Sequence, residues 1–179
     1  MAASFAWDER NGASPGVVTS GVNNVNWKNI DDATTAYSSY PITAGNNSFT
    51  KYQFGRFGGS WNQILNGYFD HTSGALGTGL TLMCQPTMTA DGNKLTYATP
   101  ATSTNAALTK DITSVNGSFP TSAPVVWFSA TGPNGTMTAS VSGGGAAYTN
   151  YIGTQLQTTV SASPGDTATV TLTLRYDEN

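Results

Sequence analysis

The run TATVTLTLRY, residues 167–176, is the sequence feature that most constrains the fold. Alanine, valine, leucine and tyrosine side chains alternate with threonine and arginine over all ten residues. This period of two is that of a β-strand with one buried face, and β-branched threonine suits the opposite face. We therefore predict a strand over residues 167–176 whose apolar side faces a core. Its threonine side faces either solvent or another subunit.

Short segments of similar character recur along the chain, separated by turns rich in Gly, Pro and Asn. The turns at residues 91–93 (Asp-Gly-Asn) and 132–135 predict hairpins, because such residues tolerate the positive φ of tight turns. One helix candidate covers residues 105–112. The fold class that this pattern indicates is all-β, a single β-sandwich or jelly-roll domain. Its predicted strands include residues 49–54, 61–69, 80–88, 94–99, 124–128, 136–141 and 148–156, and a short helix is the alternative for residues 61–69.

Residues 1–30 are predicted to form an extended N-terminal arm, and residues 31–179 the β-sandwich domain. The arm contains a turn-rich stretch at residues 11–16, and its apolar residues do not recur at helical spacing. Chain termini are usually mobile unless something holds them. Trp7 and Trp27 are expected to anchor the arm, either against this domain or against a neighbouring subunit.

Charged residues make up only 9% of the 179 residues, against about 25% in an average globular protein. One interpretation is that much of the surface is buried against other subunits, since interface cores are depleted in charge. The other is a soluble surface rich in Thr, Ser and Asn. The net charge is −3 and the basic residues are scattered from Arg10 to Arg175. Direct binding of nucleic acid, which needs a basic patch, is therefore not expected.

The N-terminus has neither the basic nor the apolar region of a signal peptide, and no apolar stretch is long enough to cross a membrane. We therefore expect synthesis in a cytoplasm without processing and no membrane partner. Cys84 is the single cysteine, which excludes an intrachain disulfide. Its alternation with Leu80 and Leu82 predicts that it faces the core.

The candidates for a catalytic or metal site are few. His71 is the only histidine, and its neighbour Asp70 would point to the opposite face of a strand. A dyad of Cys84 and His71 remains the catalytic alternative. Zinc needs more Cys and His than the chain has. The acidic pair at residues 31–32 and the turn at 91–93 are better explained by capping and turn formation than by calcium. We expect no enzyme activity, no cofactor and no metal.

Carbohydrate binding is a further alternative. Tyr148 and Tyr151 lie near the glycine-rich residues 143–145, and an exposed aromatic ring on a β-sandwich can stack on a sugar. The competing interpretation is that both rings face the core or a subunit contact.

Three segments carry a resemblance to small virion proteins of tailed bacteriophages. They are residues 31–50 (DDATTAYSSYPITAGNNSFT), residues 148–157 (YTNYIGTQLQ) and residues 164–178 (PGDTATVTLTLRYDE). The likeness covers about half of the chain, and no catalytic signature is part of it. The resemblance implies a β-sandwich that serves as a capsid decoration or cement protein, a head fibre or a tail part.

Within this group the expectation is a capsid cement protein of the virion, made in the bacterial host cytoplasm. Its implied partners are the major capsid protein and copies of itself, as a homotrimer. Trp7, Val17 and Trp27 are the expected subunit contacts. The rival functions are a receptor- or glycan-binding part of a tail, baseplate or head fibre, with Tyr148 and Tyr151 as the binding residues, and an enzyme such as a depolymerase or a cysteine peptidase.

Overall fold

The computed structural model describes residues 2–85, 94–102, 108–117, 123–163 and 169–179. Within these ranges the chain is all-β, with one 3₁₀ turn at Tyr37–Ser39. The predicted turn at residues 91–93 lies outside the described residues. The strands are β1 Ala3–Asn11, β2 Val17–Ser20, β3 Lys51–Gly59, β4 Gln63–Ser73, β5 Leu80–Gln85, β6 Lys110–Asp111, β7 Val125–Val126, β8 Phe128–Ser129, β9 Ser140–Ser142, β10 Ala147–Thr149, β11 Ile152–Thr158 and β12 Thr171–Glu178.

The described strands form two antiparallel sheets that pack face to face. The larger sheet has the order β2-β1-β3-β11-β5-β6, and β10 joins β3 to β8 beside it. The smaller sheet has the order β12-β4-β7, with β9 also paired to β4. Side chains from both sheets meet in the core, which confirms the predicted β-sandwich architecture.

Two apolar clusters fill the space between the sheets. In the first, Phe57 and Phe128 of the larger sheet pack with Ile64 of the smaller sheet. In the second, Leu82 and Ile152 pack against Phe69 in the same way. These six side chains are at most 2% exposed. A third cluster of Tyr and Phe side chains lies on the outer face of the larger sheet, beneath the segment of residues 94–102.

The predicted alternation of the last strand is confirmed, with shifted bounds. β12 begins at Thr171, Thr169 and Val170 precede it without ladder pairing, and residues 164–168 lie outside the described residues. Leu174 and Tyr176 pack half-buried against the core, while Arg175 is exposed. The predicted strand over residues 61–69 is confirmed as β4, which extends to Ser73.

Several predictions of secondary structure were wrong or incomplete. The strand predicted over residues 136–141 is limited to β9 Ser140–Ser142, and the strand predicted over residues 148–156 divides into β10 and β11. Residues 94–99 form no strand and cross the outer face of the larger sheet through Leu95 and Tyr97. In the described part of the helix candidate, residues 108–112, the chain forms the short strand β6. The apolar run of residues 124–128 divides into two strands, because the chain leaves the smaller sheet after Val126 and enters the larger sheet at Phe128.

Candidate interaction surface

A polar cluster closes one end of the space between the sheets. Alternation along β1 and β3 turns Glu9, Lys51 and Gln53 to the same side as Trp7 and Phe57, since Glu9 is paired with Gln53 and Trp7 with Gly55. The Glu9 and Lys51 side chains are both 0% exposed and form an ion pair of 3.0 Å between Oε1 and Nζ. The Glu9 carboxylate also accepts hydrogen bonds from Asn11 at 2.9 Å and Gln53 at 3.2 Å.

Residues 27–35, which we call the strap, cover this cluster. Lys51 donates to the carbonyl oxygen of Asp32 at 2.6 Å. Lys28, which is also 0% exposed, pairs with the Asp32 carboxylate at 2.8 Å and donates to the carbonyl oxygen of Thr35. The indole of Trp27 donates to the hydroxyl of Thr154 in β11 at 3.1 Å. The strap therefore supplies the acceptors that two buried lysines require.

Burial and hydrogen bonding move the two carboxylates of this region in opposite directions. Burial raises the pKa of Glu9, and it outweighs the attraction of Lys51 and the hydrogen bonds from Asn11 and Gln53. Burial also acts to raise the pKa of Asp32, but hydrogen bonds from Lys28, Thr35 and Thr34 together hold it well below its usual range. The fold thus disfavours the charged form of the Glu9 carboxyl and favours the charged form of the Asp32 carboxyl.

Several charged side chains face inward, so few charges remain on the surface. The chain has seven Lys and Arg and ten Asp and Glu. Five of these side chains are at most 3% exposed, and they are therefore not available to solvate the surface: Asp8, Glu9, Lys28, Lys51 and Asp70. A domain of this size ordinarily carries mixed charges over its surface. The exterior is consequently poorer in charge than the composition alone indicates.

The two edges of the larger sheet differ in character. At one edge β6 is two residues long, and both residues are charged. At the other edge β2 carries no charge, and its Val17 and Val18 are 74% and 36% exposed. Short and charged edges are the usual protection against pairing with another chain. The β2 edge is also short, at four residues, but it lacks the charge.

The predicted contact residues of the N-terminal segment lie in different environments. Trp7 and Trp27 are half-buried and pack against the second core cluster of this same chain. Val17 is exposed on β2. Residues 3–10 pair with β3 along the larger sheet. The predicted arm therefore contributes a strand to the sandwich, and only Val17 of the three side chains is largely free to contact a partner.

The two tyrosines of the glycan alternative are not equivalent. Tyr151 is 0% exposed and packs edge-on against Tyr52 and Phe54. It presents no ring face for a sugar, which corrects that part of the prediction. Tyr148 is half-buried at the margin of the same outer cluster, and its ring centroid lies 6.3 Å from that of Phe54.

His71 and Cys84 are both fully buried. The ring nitrogens of His71 lie 3.0 Å from the carbonyl oxygen of Ile112 and 2.9 Å from that of Ser73, so each already faces a backbone partner. Burial is the main cause that raises the pKa of the Cys84 thiol. A high thiol pKa disfavours the thiolate that nucleophilic chemistry requires. The predicted core position of Cys84 is confirmed.

A cleft opens where two loops meet Asn179. It has a volume of about 460 Å³ and is lined by residues 59–62, residues 143–145 and Asn179. Backbone hydrogen bonds fix its walls, from Gly145 to Gly59 at 3.1 Å and from Gly143 to Asn62 at 3.0 Å. Gly144 has φ of 66° and its missing Cβ would lie 3.1 Å from the carbonyl oxygen of Trp61, so a side chain there would narrow the cleft.

Comparison with protein-family models, curated proteins and solved structures found no match to this chain. No helix in the described ranges is long and apolar enough to cross a membrane. The described side chains also contain no group of three or more His, Cys, Asp and Glu placed to hold a metal ion.

Sequence reasoning missed the polar cluster. The signal was present in the spacing of these residues. Glu9 lies two positions after Trp7, and Lys51 lies six positions before Phe57. Alternation places each pair on one face of a strand. Alternation would therefore have turned both charged side chains inward once Trp7 and Phe57 were assigned to the core, but it could not have shown that β1 and β3 pair and bring the two charges together.

Proposed function

We propose that this chain is a structural protein of a tailed-bacteriophage virion, and specifically a capsid cement protein that bridges subunits of the shell. The observation that carries the proposal is the charge-poor exterior, which follows from the low content of charged residues and from the burial of five of them. Depletion of charge is the compositional mark of surfaces that become buried against partners. The resemblance of residues 31–50, 148–157 and 164–178 to small phage virion proteins directs this assembly role to the phage particle.

The proposed mechanism is thermodynamic. A standard stable interface buries about 1,600 Å² in total, and a rigid sandwich contacting several capsid subunits at once gains from each contact without a second ordering cost. The partners in this proposal are the major capsid protein and further copies of this chain. The chain is made in the bacterial cytoplasm and ends in the virion.

The direct test is binding to shells. Purified protein is mixed with genome-free capsids of the phage that encodes it, and the shells are then sedimented. We expect the protein to sediment with the shells and to raise the temperature at which they rupture. An unrelated β-sandwich protein of similar size and net charge is the control. Protein that stays in the supernatant at saturating concentration would contradict the cement role.

A deletion of residues 1–28 does not serve as a test of partner binding. It removes β1, whose residues 3–10 pair with β3, and it removes Glu9 from beneath Lys51. Loss of the fold would then be indistinguishable from loss of an interface. Single substitutions at exposed positions are the informative alternative.

The second candidate is a receptor- or glycan-binding part of a tail, baseplate or head fibre. The open cleft of about 460 Å³ lined by residues 59–62 and 143–145 favours it. Protein that binds host cells and leaves shells unbound would support this role. In that case Ser60→Trp, at an exposed position that lines the cleft, should weaken adsorption by filling the cleft, and Tyr148→Ala should weaken it if the outer aromatic cluster binds instead. Tyr151→Ala is uninformative because that ring is core.

A further inference from the structure

The exposed edge of the larger sheet at β2 is open along Val17–Ser20. Among the described residues β2 pairs only with β1, so its other side has unpaired backbone groups. The strand has no charge and no proline, and its valines at 17 and 18 are exposed on opposite faces. A strand added at this edge would bury apolar surface on both faces of the sheet.

The edge is held rigidly at both ends. Before β2, the backbone N–H of Ser14 donates to the hydroxyl of Thr99 at 3.0 Å. After β2, the N–H of Gly21 donates to the Asp8 carboxylate at 3.0 Å, and Arg56 pairs with Asp8 at 2.8 Å. Because the strand is already ordered, pairing with it carries little further conformational cost.

We propose that β2 is a self-association edge, at which two copies of this chain pair their β2 strands antiparallel about a twofold axis. The larger sheet would then continue across both copies. This inference names one partner within the proposed assembly role, and it concerns the free protein, so it can fail or hold without any capsid.

Charge and register favour a second copy as the occupant. A neutral strand meets its own copy without like-charge repulsion. The nearest acidic groups on β1 are already compensated, since Asp8 pairs with Arg56 and Glu9 with Lys51. A register centred on Val18 places Val18 opposite its own copy and Val17 opposite Thr19. These are β-branched pairs, which are favourable across strands. A twofold contact needs only one such patch per chain.

Size determines the expected strength. Strands of four residues bury far less than the roughly 1,600 Å² of a standard interface. The dimer should therefore be weak and depend on concentration in free solution. On a particle that displays many copies, effective concentration would strengthen the same contact.

The test is sedimentation equilibrium over a wide range of protein concentration. The average mass of the wild type should rise from monomer towards dimer. Val18→Lys places like charges opposite each other across the twofold axis and should leave only monomer. Because Val18 is also paired with Arg10 of β1 within the chain, its urea unfolding is compared with that of the wild type to show that β2 is still formed. Val160→Lys is the matched control, because Val160 is 89% exposed and lies outside the strands; it should associate like the wild type. Val17→Lys, at a 74% exposed position, is the second variant should Val18→Lys fail to fold; it places two lysines diagonally across the twofold axis and should shift the equilibrium towards monomer.

Charge reversal tests the register. Val18→Asp alone should also be monomeric, whereas an equimolar mixture of Val18→Lys and Val18→Asp should form a mixed dimer. The proposal is overturned by a wild type that stays monomeric throughout, by a closed trimer, by a dimer that Val18→Lys leaves intact, or by a mixture that does not associate.

Discussion

The two ends of the space between the sheets bury side chains of the same two strands, β1 and β3. The buried side chains are apolar at one end and charged at the other. At one end Phe57 of β3 packs against Ile64 and Phe128, all at most 1% exposed. At the other end, on the same face of β1 and β3, Glu9 and Lys51 are equally inaccessible but charged. The apolar end is covered by the smaller sheet, and the polar end is hydrogen-bonded to the irregular strap of residues 27–35.

The difference shows which kind of element can pack over apolar side chains and which can pack over charged ones. A sheet uses its backbone groups within its own ladder, so it can offer a neighbour only side chains. The strap has free carbonyl groups, and those of Asp32 and Thr35 accept hydrogen bonds from Lys51 and Lys28. A buried ion pair is weak evidence for stability, because the cost of removing charges from water offsets their attraction. We infer that the polar end fixes where the strap lies, while the apolar end supplies most of the stability.

The largest loss of folding stability is expected from Lys51→Met, which tests the polar end. The substitution leaves the Glu9 carboxylate buried without its cation, and the cheapest response is protonation of Glu9. From its ordinary pKa of 4.5, protonation at pH 7 costs about 1.4 kcal/mol per pH unit, or about 3 kcal/mol. At pH 5 the same reasoning leaves about 1 kcal/mol or less. Urea unfolding at both pH values measures the loss.

Two companion variants make this measurement specific. Ile64→Val, at the apolar end, should lose about 1 kcal/mol and lose it equally at pH 7 and pH 5. The double variant Lys51→Met with Glu9→Leu should regain most of the stability lost by Lys51→Met alone, because no unpaired charge remains. An equal loss at both pH values for Lys51→Met would show that packing, rather than charge, explains the effect.

How much of this could be predicted from the sequence differs between the two ends. Alternation predicted β12, and the apolar run of residues 124–128, predicted as a strand, contains the core residues Val126 and Phe128. Alternation did not identify which face of β3 is inward, because residues 49–54 carry aromatic side chains on both faces, and both proved to be buried. That choice depends on pairing with β1 and on a strap whose backbone acceptors have no sequence signature. The strand predicted over residues 94–99 failed for the same reason, since local pattern does not supply a ladder partner.

A smaller effect is expected from Trp27→Phe, which tests how the strap is attached. The substitution removes the indole N–H that donates to Thr154, a side chain that is 0% exposed. A buried hydroxyl left without its partner costs about 1–3 kcal/mol. Adding Thr154→Val removes that hydroxyl and should recover part of the loss, as measured by urea unfolding. If the second substitution only adds to the loss, the hydrogen bond is not what attaches the strap.

The smallest effect is a pH dependence that separates the two carboxylates of the polar end. Hydrogen bonds from Lys28, Thr35 and Thr34 outweigh burial and hold the pKa of Asp32 below its ordinary 3.8. Its contribution to stability is thus fully present above pH 3.8 and lost as the pH falls through the folded-state pKa. The raised pKa of Glu9 acts with the opposite sign, so stability from that group increases as the pH falls towards 4.5.

The two contributions can be isolated by difference. Asp32→Asn should lack the part of the acid-induced loss below pH 3.8 that the wild type shows, while Glu9→Gln should retain it. Between pH 7 and 4.5 the assignment reverses, and Glu9→Gln should lack the gain that Asp32→Asn retains. Because the Asp32 side chain is 30% exposed, salt should reduce its contribution. The buried Glu9 should be less sensitive to salt. Equal salt sensitivity of the two differences would contradict the placement of Glu9 beneath the strap and Asp32 at its surface.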